Sequence, residues 1–245
     1  MVDATAAILA GGLGTRLRSV VSDCPKVLAE IHGLPFLTYL LNQLSVSGVR
    51  TVVLCTGYLG EQIRDRFGDS YRALDLVYSR EASPLGTAGA LRLALRLFQS
   101  SSVLVMNGDS FCNINLNAFW DCHRGLQAEA TLALARVTDS KRYGQVRLGA
   151  DGAVLSFEEK SGRGDPGWVN AGIYLLARSA IQTIPEKGAI SLEREIFPGR
   201  IGKGLYGYRT QGRFLDIGTP EAYEEAKRLL AQEAAEAERI DKARC

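Results

Sequence analysis

Residues 10–26 read AGGLGTRLRSVVSDCPK and follow the apolar run Ala4–Leu9. The run predicts a buried strand, and the glycines after it predict a sharp turn. These glycines are Gly11, Gly12 and Gly14. Glycine leaves backbone amides uncovered, and a row of amides can wrap an anion. Arg16 and Lys26 add two cations nearby in sequence, so the stretch favours a site for a polyphosphate.

Three other interpretations of this loop compete, and its residues weigh against each of them. A dinucleotide-binding fingerprint needs a third glycine, and Leu17 stands at its position. A P-loop needs Gly-Lys followed by Ser or Thr, which this loop lacks. A tight turn between strand and helix that binds nothing is the third interpretation, and the neighbouring Arg16 and Lys26 argue against it.

The first half of the chain alternates predicted strands and helices. The predicted strands are Ala4–Leu9, Thr51–Thr56, Leu74–Tyr78 and Ser102–Met106, and the predicted helices are Pro35–Ser45, Glu61–Phe67 and Thr87–Phe98. This order predicts an α/β fold with a mostly parallel sheet and helices on both faces. Ligands of such sheets bind beyond the carboxyl ends of the strands. The glycine loop and Asp109 both follow strands, so we expect them at one edge.

The second half changes to short strands and a long helix. Its predicted strands are Ala130–Val137, Gln145–Leu148, Ala153–Phe157, Val169–Leu176, Leu205–Arg209 and Arg213–Asp216. A short helix is predicted at Leu192–Phe197. A long amphipathic helix is predicted from the N-cap Thr219 and Pro220 to about Arg239. Its apolar face packs on its own domain or, alternatively, contacts a second copy in a homo-oligomer.

Six motifs in one order carry a resemblance to a known family. Gly-Gly-x-Gly-Thr-Arg-Leu followed by Pro-Lys resembles the signature of sugar-1-phosphate nucleotidyltransferases. The remaining five are PLGTAGAL at 84–91, NGD at 107–109, FEEK at 157–160, VNAGIY at 169–174 and LDIGT at 215–219. The resemblance covers residues 4 to about 225. Within the family, Leu17–Asp23 before Pro25-Lys26 is most similar to the heptose-1-phosphate guanylyltransferases.

The resemblance implies a Rossmann-like nucleotidyltransferase fold in one domain, residues 1–245. Residues 1 to about 115 would form a nucleotide-binding half, and about 116 to 245 a smaller mixed-β sugar-binding half with the C-terminal helix.

The resemblance also implies a reaction, the transfer of a nucleotidyl group from a nucleoside triphosphate to a sugar 1-phosphate with release of pyrophosphate. GTP and D-glycero-α-D-manno-heptose 1-phosphate are the expected substrates, and GDP-heptose for surface polysaccharide the expected product. Mannose, glucose or N-acetylmuramate phosphates with GTP, UTP or dTTP, and a non-catalytic nucleotide-sugar sensor, stay open as alternatives.

The resemblance also implies roles for single residues. Those expected to act in catalysis are Arg16, Lys26, Asp109 and Asp216, the two aspartates as ligands of Mg²⁺. Those expected to bind the nucleotide are Leu9, Gly11, Gly12, Gly14, Thr15, Arg16, Gly86, Thr87 and Asp109. Those expected at the sugar phosphate are Tyr143, Gly144, Glu159, Lys160 and Asn170. Ordinary roles compete: Thr87 as a helix N-cap, Asp216 at the positive end of a helix, and Lys160 within a surface charge cluster.

Composition narrows the class of protein. The 245 residues have a net charge of +2, with 46% hydrophobic and 23% charged residues, which is typical of a globular domain and gives no general case for nucleic-acid or membrane partners. Five scattered cysteines without a CxxC pair predict reduced thiols and no zinc site. The N-terminus lacks a leader pattern, and no apolar run approaches about 18 residues, so we expect a cytoplasmic location.

Overall fold

The structure is a computed structural model that describes residues 4–12, 14, 17, 24–141, 143–158, 164–231 and 233. The strands are β1 Thr5–Ala10, β2 Glu30–Ile31, β3 Leu34–Pro35, β4 Thr51–Thr56, β5 Ser70–Tyr71, β6 Leu74–Arg80, β7 Ser102–Asn107, β8 Ser110–Cys112, β9 Ala130–Val137, β10 Gln145–Leu148, β11 Val154–Glu158, β12 Gly167–Ala177, β13 Leu205–Thr210 and β14 Phe214–Asp216. The α-helices are α1 Phe36–Ser47, α2 Gly60–Phe67, α3 Gly86–Ala94, α4 Leu116–Gly125, α5 Arg178–Gln182 and α6 Pro220–Leu229.

One twisted sheet organises the chain. Its order is β11-β10-β12-β7-β1-β4-β6-β5, with β9 beside β12 and β13 beside β9. Strand β1 lies between β4 and β7 and is parallel to both, and β6 extends the parallel part beyond β4. Strand β12 then pairs antiparallel with β7 and β9. The predicted α/β fold is confirmed: the sheet is mixed, parallel in the first half and mainly antiparallel in the second.

The two faces of the sheet carry two hydrophobic clusters. Successive residues of β1 point to opposite faces, so Ile8 belongs to one cluster and Ala7 to the other. Leu40 of α1 covers the first face, and Leu91 of α3 covers the second. Helices therefore lie on both faces, as the alternating pattern predicted, and the carboxyl ends of the parallel strands stay open at one edge.

Several elements differ from the prediction. The sequence pattern gave no sign of α4 or α5. The helix expected at Thr87–Phe98 ends as an α-helix at Ala94 and continues for one 3-10 turn. The segment Leu192–Ile196 is a single π-helical turn. The last helix begins at the predicted cap, where Thr219 accepts a hydrogen bond from the Ala222 amide, but ends at Leu229. Residues 234–239 of its predicted extent lie outside the described residues.

Across the described ranges, no helix combines the length and the apolarity that crossing a membrane requires.

Candidate active site

A pocket of about 270 Å³ opens at the carboxyl edge of the parallel strands. The ends of β1, β4, β6 and β7 and the start of α3 all contribute to its wall. The lining residues are Leu9, Gly11, Gly12, Cys55, Glu81, Pro84, Gly86, Thr87, Ala90, Asn107 and Asp109. Six of the residues predicted to bind a nucleotide therefore lie together. They are Leu9, Gly11, Gly12, Gly86, Thr87 and Asp109.

The glycine loop needs its glycines for two different reasons. A Cβ on Gly11 would stand 2.6 Å from a carboxylate oxygen of Glu81, so a larger residue there would displace that carboxylate. Gly14 has φ +59°, in the left-handed region, and its carbonyl accepts the Leu17 amide at 3.0 Å. Among the described residues, none lies within 4 Å of a Cβ placed on Gly12. The predicted Thr15 and Arg16 lie outside the described residues.

Glu81 is a pocket residue that the sequence reasoning missed. It follows β6 directly, and its Oε2 accepts the Leu85 amide at 3.0 Å. Burial raises the pKa of Glu81, and the Leu85 hydrogen bond opposes that rise. The available signal was a carboxylate at the end of a parallel strand, three residues before the Pro84-Leu85-Gly86 turn.

Cys55 is the thiol in the pocket wall, at the end of β4. Burial, with a smaller contribution from the charge of Glu81, raises its pKa to about 12. A thiol with this pKa stays protonated near neutral pH, so it acts as a small apolar wall residue and not as a nucleophile. Cys112 is also buried, and its pKa is likewise raised to about 12.

Two carboxylates and one ammonium meet beside the pocket. Strands β8 and β14 pair so that Asp216 lies opposite Ser110, and the Ile217 amide donates to the Asp109 carbonyl at 2.9 Å. Asp109 and Asp216 are thereby neighbours although 107 residues separate them in sequence. The Lys26 Nζ lies 2.8 Å from the Asp109 Oδ2, and the lysine side chain is 12% exposed against 46% for the aspartate. The structure thus brings Lys26, Asp109 and Asp216 together.

Hydrogen bonds from its own loop and from Tyr143 hold the Asp216 carboxylate in place. Its Oδ1 accepts the Gly218 amide at 2.7 Å, and its Oδ2 accepts a short hydrogen bond from the Tyr143 hydroxyl. Thr219, not Asp216, caps helix α6. A Cβ at Gly218 would lie 2.6 Å from the Asp216 Oδ1 and 3.7 Å from the Lys26 Nζ, so the glycine leaves room for these charged groups.

The donor set fits a hard divalent cation. Carboxylate oxygens suit Mg²⁺, which often takes only one or two carboxylates and completes its shell with phosphate oxygens and water. The described part of the chain holds no group of three or more His, Cys, Asp or Glu side chains that could enclose a metal alone. Asp109 and Asp216 offer two carboxylates of this kind, and the remaining ligands would come from a bound phosphate and water.

Three of the five residues predicted at the sugar phosphate, Tyr143, Gly144 and Asn170, are among the described residues. Asn170 lies on β12 where its register with β9 shifts, and its Nδ2 donates to the Tyr174 hydroxyl at 2.9 Å. Tyr143 packs edge-on against Phe214, with ring centroids 5.3 Å apart. Gly144 follows it, exposed, before β10. Glu159 and Lys160 lie outside the described residues.

A second cleft, of about 420 Å³, lies beyond Asp216 and Tyr143. Four charged residues line it: Arg136, Asp139, Asp216 and Glu225. Asp216 and Tyr143 border this cleft, whereas Asp109 borders the first pocket. The two aspartates therefore stand between the first pocket and this polar cleft.

Residues 5–233 match the family model described as nucleotidyl transferase, and the chain belongs to this family. The predicted resemblance is confirmed, and the protein is an enzyme of the nucleotidyltransferase class.

The chain is 37% identical over 226 residues to D-glycero-alpha-D-manno-heptose 1-phosphate guanylyltransferase of Aneurinibacillus thermoaerophilus. This match covers 92% of this chain and 97% of that relative. The chain is 36% identical over 222 residues to mannose-1-phosphate guanylyltransferase of Mycobacterium tuberculosis, covering 89% of this chain but 62% of that relative.

A solved structure shows the same fold. The crystal structure of HddC from Yersinia pseudotuberculosis complexed with GMP-PN superposes with a TM-score of 0.82 at 33% identity. The match covers 93% of this chain and 99% of that one. The architecture described above is therefore shared with HddC over nearly the whole length of that protein.

Proposed function

We propose that the protein is a sugar-1-phosphate guanylyltransferase that converts GTP and D-glycero-α-D-manno-heptose 1-phosphate into GDP-heptose and pyrophosphate. A phosphate oxygen of the sugar 1-phosphate attacks the α-phosphorus of GTP. The bond from the α-phosphorus to the bridging oxygen breaks, and pyrophosphate leaves with that oxygen. No nucleophile from the protein is needed, so the chain's residues contribute positioning and charge neutralisation.

Glu81 is the single observation that carries the choice of base. An ionised carboxylate only accepts hydrogen bonds, through two oxygens. Guanine is the nucleobase with two adjacent donors, N1–H and the N2 amino group, on its Watson–Crick edge. Adenine, cytosine and uracil each present an acceptor beside a donor there, which a carboxylate leaves unpaired at a cost. Glu81 lines the nucleotide pocket, which supports guanine.

The cations support the proposed chemistry. Two anionic substrates must approach each other, and the buried stem of Lys26 holds an ammonium at Asp109. We assign Lys26 to the incoming phosphate, Arg16 and the amides of Gly11, Gly12, Gly14 and Thr15 to the pyrophosphate, and Lys160 to the sugar phosphate. The last assignment, and that of Glu159 to sugar hydroxyls, rests on the family motif.

Asp109 and Asp216 would hold Mg²⁺ in this proposal. When bound, the ion would neutralise charge on the α-phosphate as the two phosphates approach. Tyr143 and Gly218 fix the orientation of Asp216 by hydrogen bonds to its two oxygens. Carboxylates whose positions are fixed before binding can ligate without reorganising.

Heptose 1-phosphate as the acceptor is supported by the share of each relative's length that the chain matches, as well as by sequence identity. The chain spans 97% and 96% of two relatives named heptose 1-phosphate guanylyltransferases, and about 62% of the mycobacterial mannose-1-phosphate enzyme. Mannose 1-phosphate is the second candidate acceptor, because similarity to that enzyme is nearly as high. A cytoplasmic location and a role in surface polysaccharide synthesis belong to the same proposal.

A substrate grid tests the proposal. GTP, UTP, dTTP, CTP and ATP are each paired with the 1-phosphates of heptose, mannose, glucose and N-acetylmuramate, and pyrophosphate release is followed with Mg²⁺ present. GTP with heptose 1-phosphate should give the highest kcat/KM. Preference for another acceptor would overturn the heptose assignment, and preference for UTP or dTTP by tenfold or more would overturn the guanylyl assignment.

A further inference from the structure

One carboxylate joins the wall of the nucleotide pocket to the strand that carries Asn170. Glu193 lies on the π-helical turn Leu192–Ile196 and is not itself one of the residues that line the pocket. Its Oε2 accepts the Thr87 hydroxyl at 2.8 Å and the Ser191 hydroxyl at 2.8 Å, and its Oε1 accepts the Tyr174 hydroxyl at 3.0 Å. Three hydroxyl groups from three parts of the chain thus converge on one side chain.

The nucleotide side of this network fixes the start of helix α3. The Thr87 hydroxyl oxygen accepts the Leu192 amide at 2.8 Å while it donates to Glu193. The Ile190 amide donates to the Leu85 carbonyl at 2.8 Å, and the Ile190 carbonyl accepts the Ala88 amide at 2.9 Å. Gly86 has no room for a side chain, because a Cβ would stand 2.4 Å from the Ile190 carbonyl oxygen. The segment 190–193 therefore clamps the turn that lines the pocket.

The other side of the network fixes polar groups near the aspartates. The Tyr174 side chain is fully buried, and its hydroxyl accepts from the Asn170 Nδ2 at 2.9 Å and from the Asn107 Nδ2 at 3.4 Å. Burial and the nearby Glu193 carboxylate raise the pKa of Tyr174 well above its ordinary value, so this hydroxyl keeps its proton. It can then donate to Glu193 while it accepts from Asn170.

We propose that Glu193 is a positioning residue that couples the two halves of the active site. Through Thr87 it sets the base-binding turn, and through Tyr174 it sets Asn170 on the acceptor side. Neither route requires Glu193 to touch a substrate. The proposal rests on the proposed function, since it takes the first pocket for the nucleoside and Asn170 for the sugar phosphate.

The coupling predicts different kinetic signatures for two variants. Glu193→Met keeps an unbranched side chain of similar length but removes both acceptor oxygens, so KM should rise for both substrates, about three- to tenfold each. Tyr174→Phe removes the link to Asn170 but leaves the Glu193–Thr87 hydrogen bond, so KM should rise for the sugar 1-phosphate alone. In the double variant the effects on the sugar 1-phosphate should not add, because both changes break the same hydrogen bond.

Glu195→Met is the matched control on the same turn. Its Oε1 accepts the Ser191 amide at 2.9 Å and has no hydrogen bond to Thr87 or Tyr174 among the described residues. The control should match wild type in both KM values, whatever it does to the melting temperature.

Binding measured without turnover separates positioning from general loss of structure. Calorimetric titration with a non-hydrolysable α,β-methylene GTP analogue, and separately with the sugar 1-phosphate, should reproduce the KM pattern as dissociation constants. The inference is overturned if Glu193→Met behaves like Glu195→Met, if it affects one substrate only, or if the double variant is additive. An inactive wild type would instead overturn the proposed function.

Discussion

At the scale of single residues, the candidate active site is defined by charged side chains at the place where we expect a divalent cation and phosphates to bind. Lys26, Asp109 and Asp216 come from three distant parts of the chain, and the pairing of the short strands β8 and β14 brings the two aspartates together. The sequence motifs indicated all three residues. They gave no sign of the direct 2.8 Å contact between Lys26 and Asp109, or of the Tyr143 hydrogen bond to Asp216, because such contacts depend on tertiary structure.

The Lys26–Asp109 contact predicts that removing the lysine charge lowers turnover but strengthens the binding of a divalent cation. Lys26→Met keeps an unbranched side chain and removes the charge. Turnover should fall about a hundredfold to a thousandfold, the usual effect of losing one preorganised charge contact. Without nucleotide, Mn²⁺ should bind severalfold more tightly, because the ammonium no longer competes for the carboxylates.

Manganese binding is measured by electron paramagnetic resonance, and turnover by pyrophosphate release. Asp109→Asn and Asp216→Asn are the controls, and both should weaken Mn²⁺ binding. Weaker Mn²⁺ binding in Lys26→Met would contradict the arrangement.

At the scale of elements, the strands were predictable and some helices were not. The parallel strands are continuous apolar runs, so β4 and β9 have the predicted bounds. Helix α4 has buried Leu116, Phe119 and His123 on one face, and the histidine hides the apolar period that would have revealed it. Glu81 was missed because the strand before it was predicted to end at Tyr78, whereas β6 ends at Arg80.

His123 gives α4 a measurable dependence on pH. It is buried, with Nδ1 2.8 Å from the Thr131 hydroxyl and Nε2 3.3 Å from that of Ser102, and burial lowers its pKa to about 4. Between pH 6.5 and 4 the unfolded chain binds a proton here that the folded chain does not, so stability falls as the pH falls through this window. From pH 6.5 to 5 this residue should account for up to about 2 kcal/mol.

Urea unfolding at several pH values checks this in wild type and His123→Gln. The variant should start less stable and lose less between pH 6.5 and 5. A control variant at a non-titrating buried residue of the same helix, such as Phe119→Leu, should keep the wild-type slope. Identical slopes in wild type and His123→Gln would show that His123 titrates normally in the folded state.

At the scale of the whole molecule, one sheet runs through both proposed halves. Strand β12 pairs with β7 of the first half and with β9 and β10 of the second. The division at about residue 115 is thus crossed by a continuous hydrogen-bonded ladder. The carboxyl edge of this sheet gathers the pocket, the two aspartates and Asn170. The order of strands made that gathering predictable, whereas the network through Glu193 joins side chains that no sequence period relates.

The shared sheet predicts that the two halves unfold together. Both tryptophans, Trp120 and Trp168, lie in the second half, so their fluorescence reports on it alone, while far-ultraviolet circular dichroism reports on the whole chain. The two transitions in urea should coincide within error. A fluorescence midpoint separated from the dichroism midpoint would indicate that the halves are independent units.

The central claim, that a carboxylate in the pocket selects guanine for nucleotidyl transfer, is tested most directly by exchanging that carboxylate for an amide. Pyrophosphate release is measured with GTP and with UTP, each with D-glycero-α-D-manno-heptose 1-phosphate, for wild type and Glu81→Gln. An amide offers one donor and one acceptor, which pair with uracil N3–H and O4, so the ratio of kcat/KM for GTP to that for UTP should fall about 10- to 100-fold. Glu129→Gln, at the far end of β9, should keep the wild-type ratio. An unchanged ratio in Glu81→Gln would contradict the account.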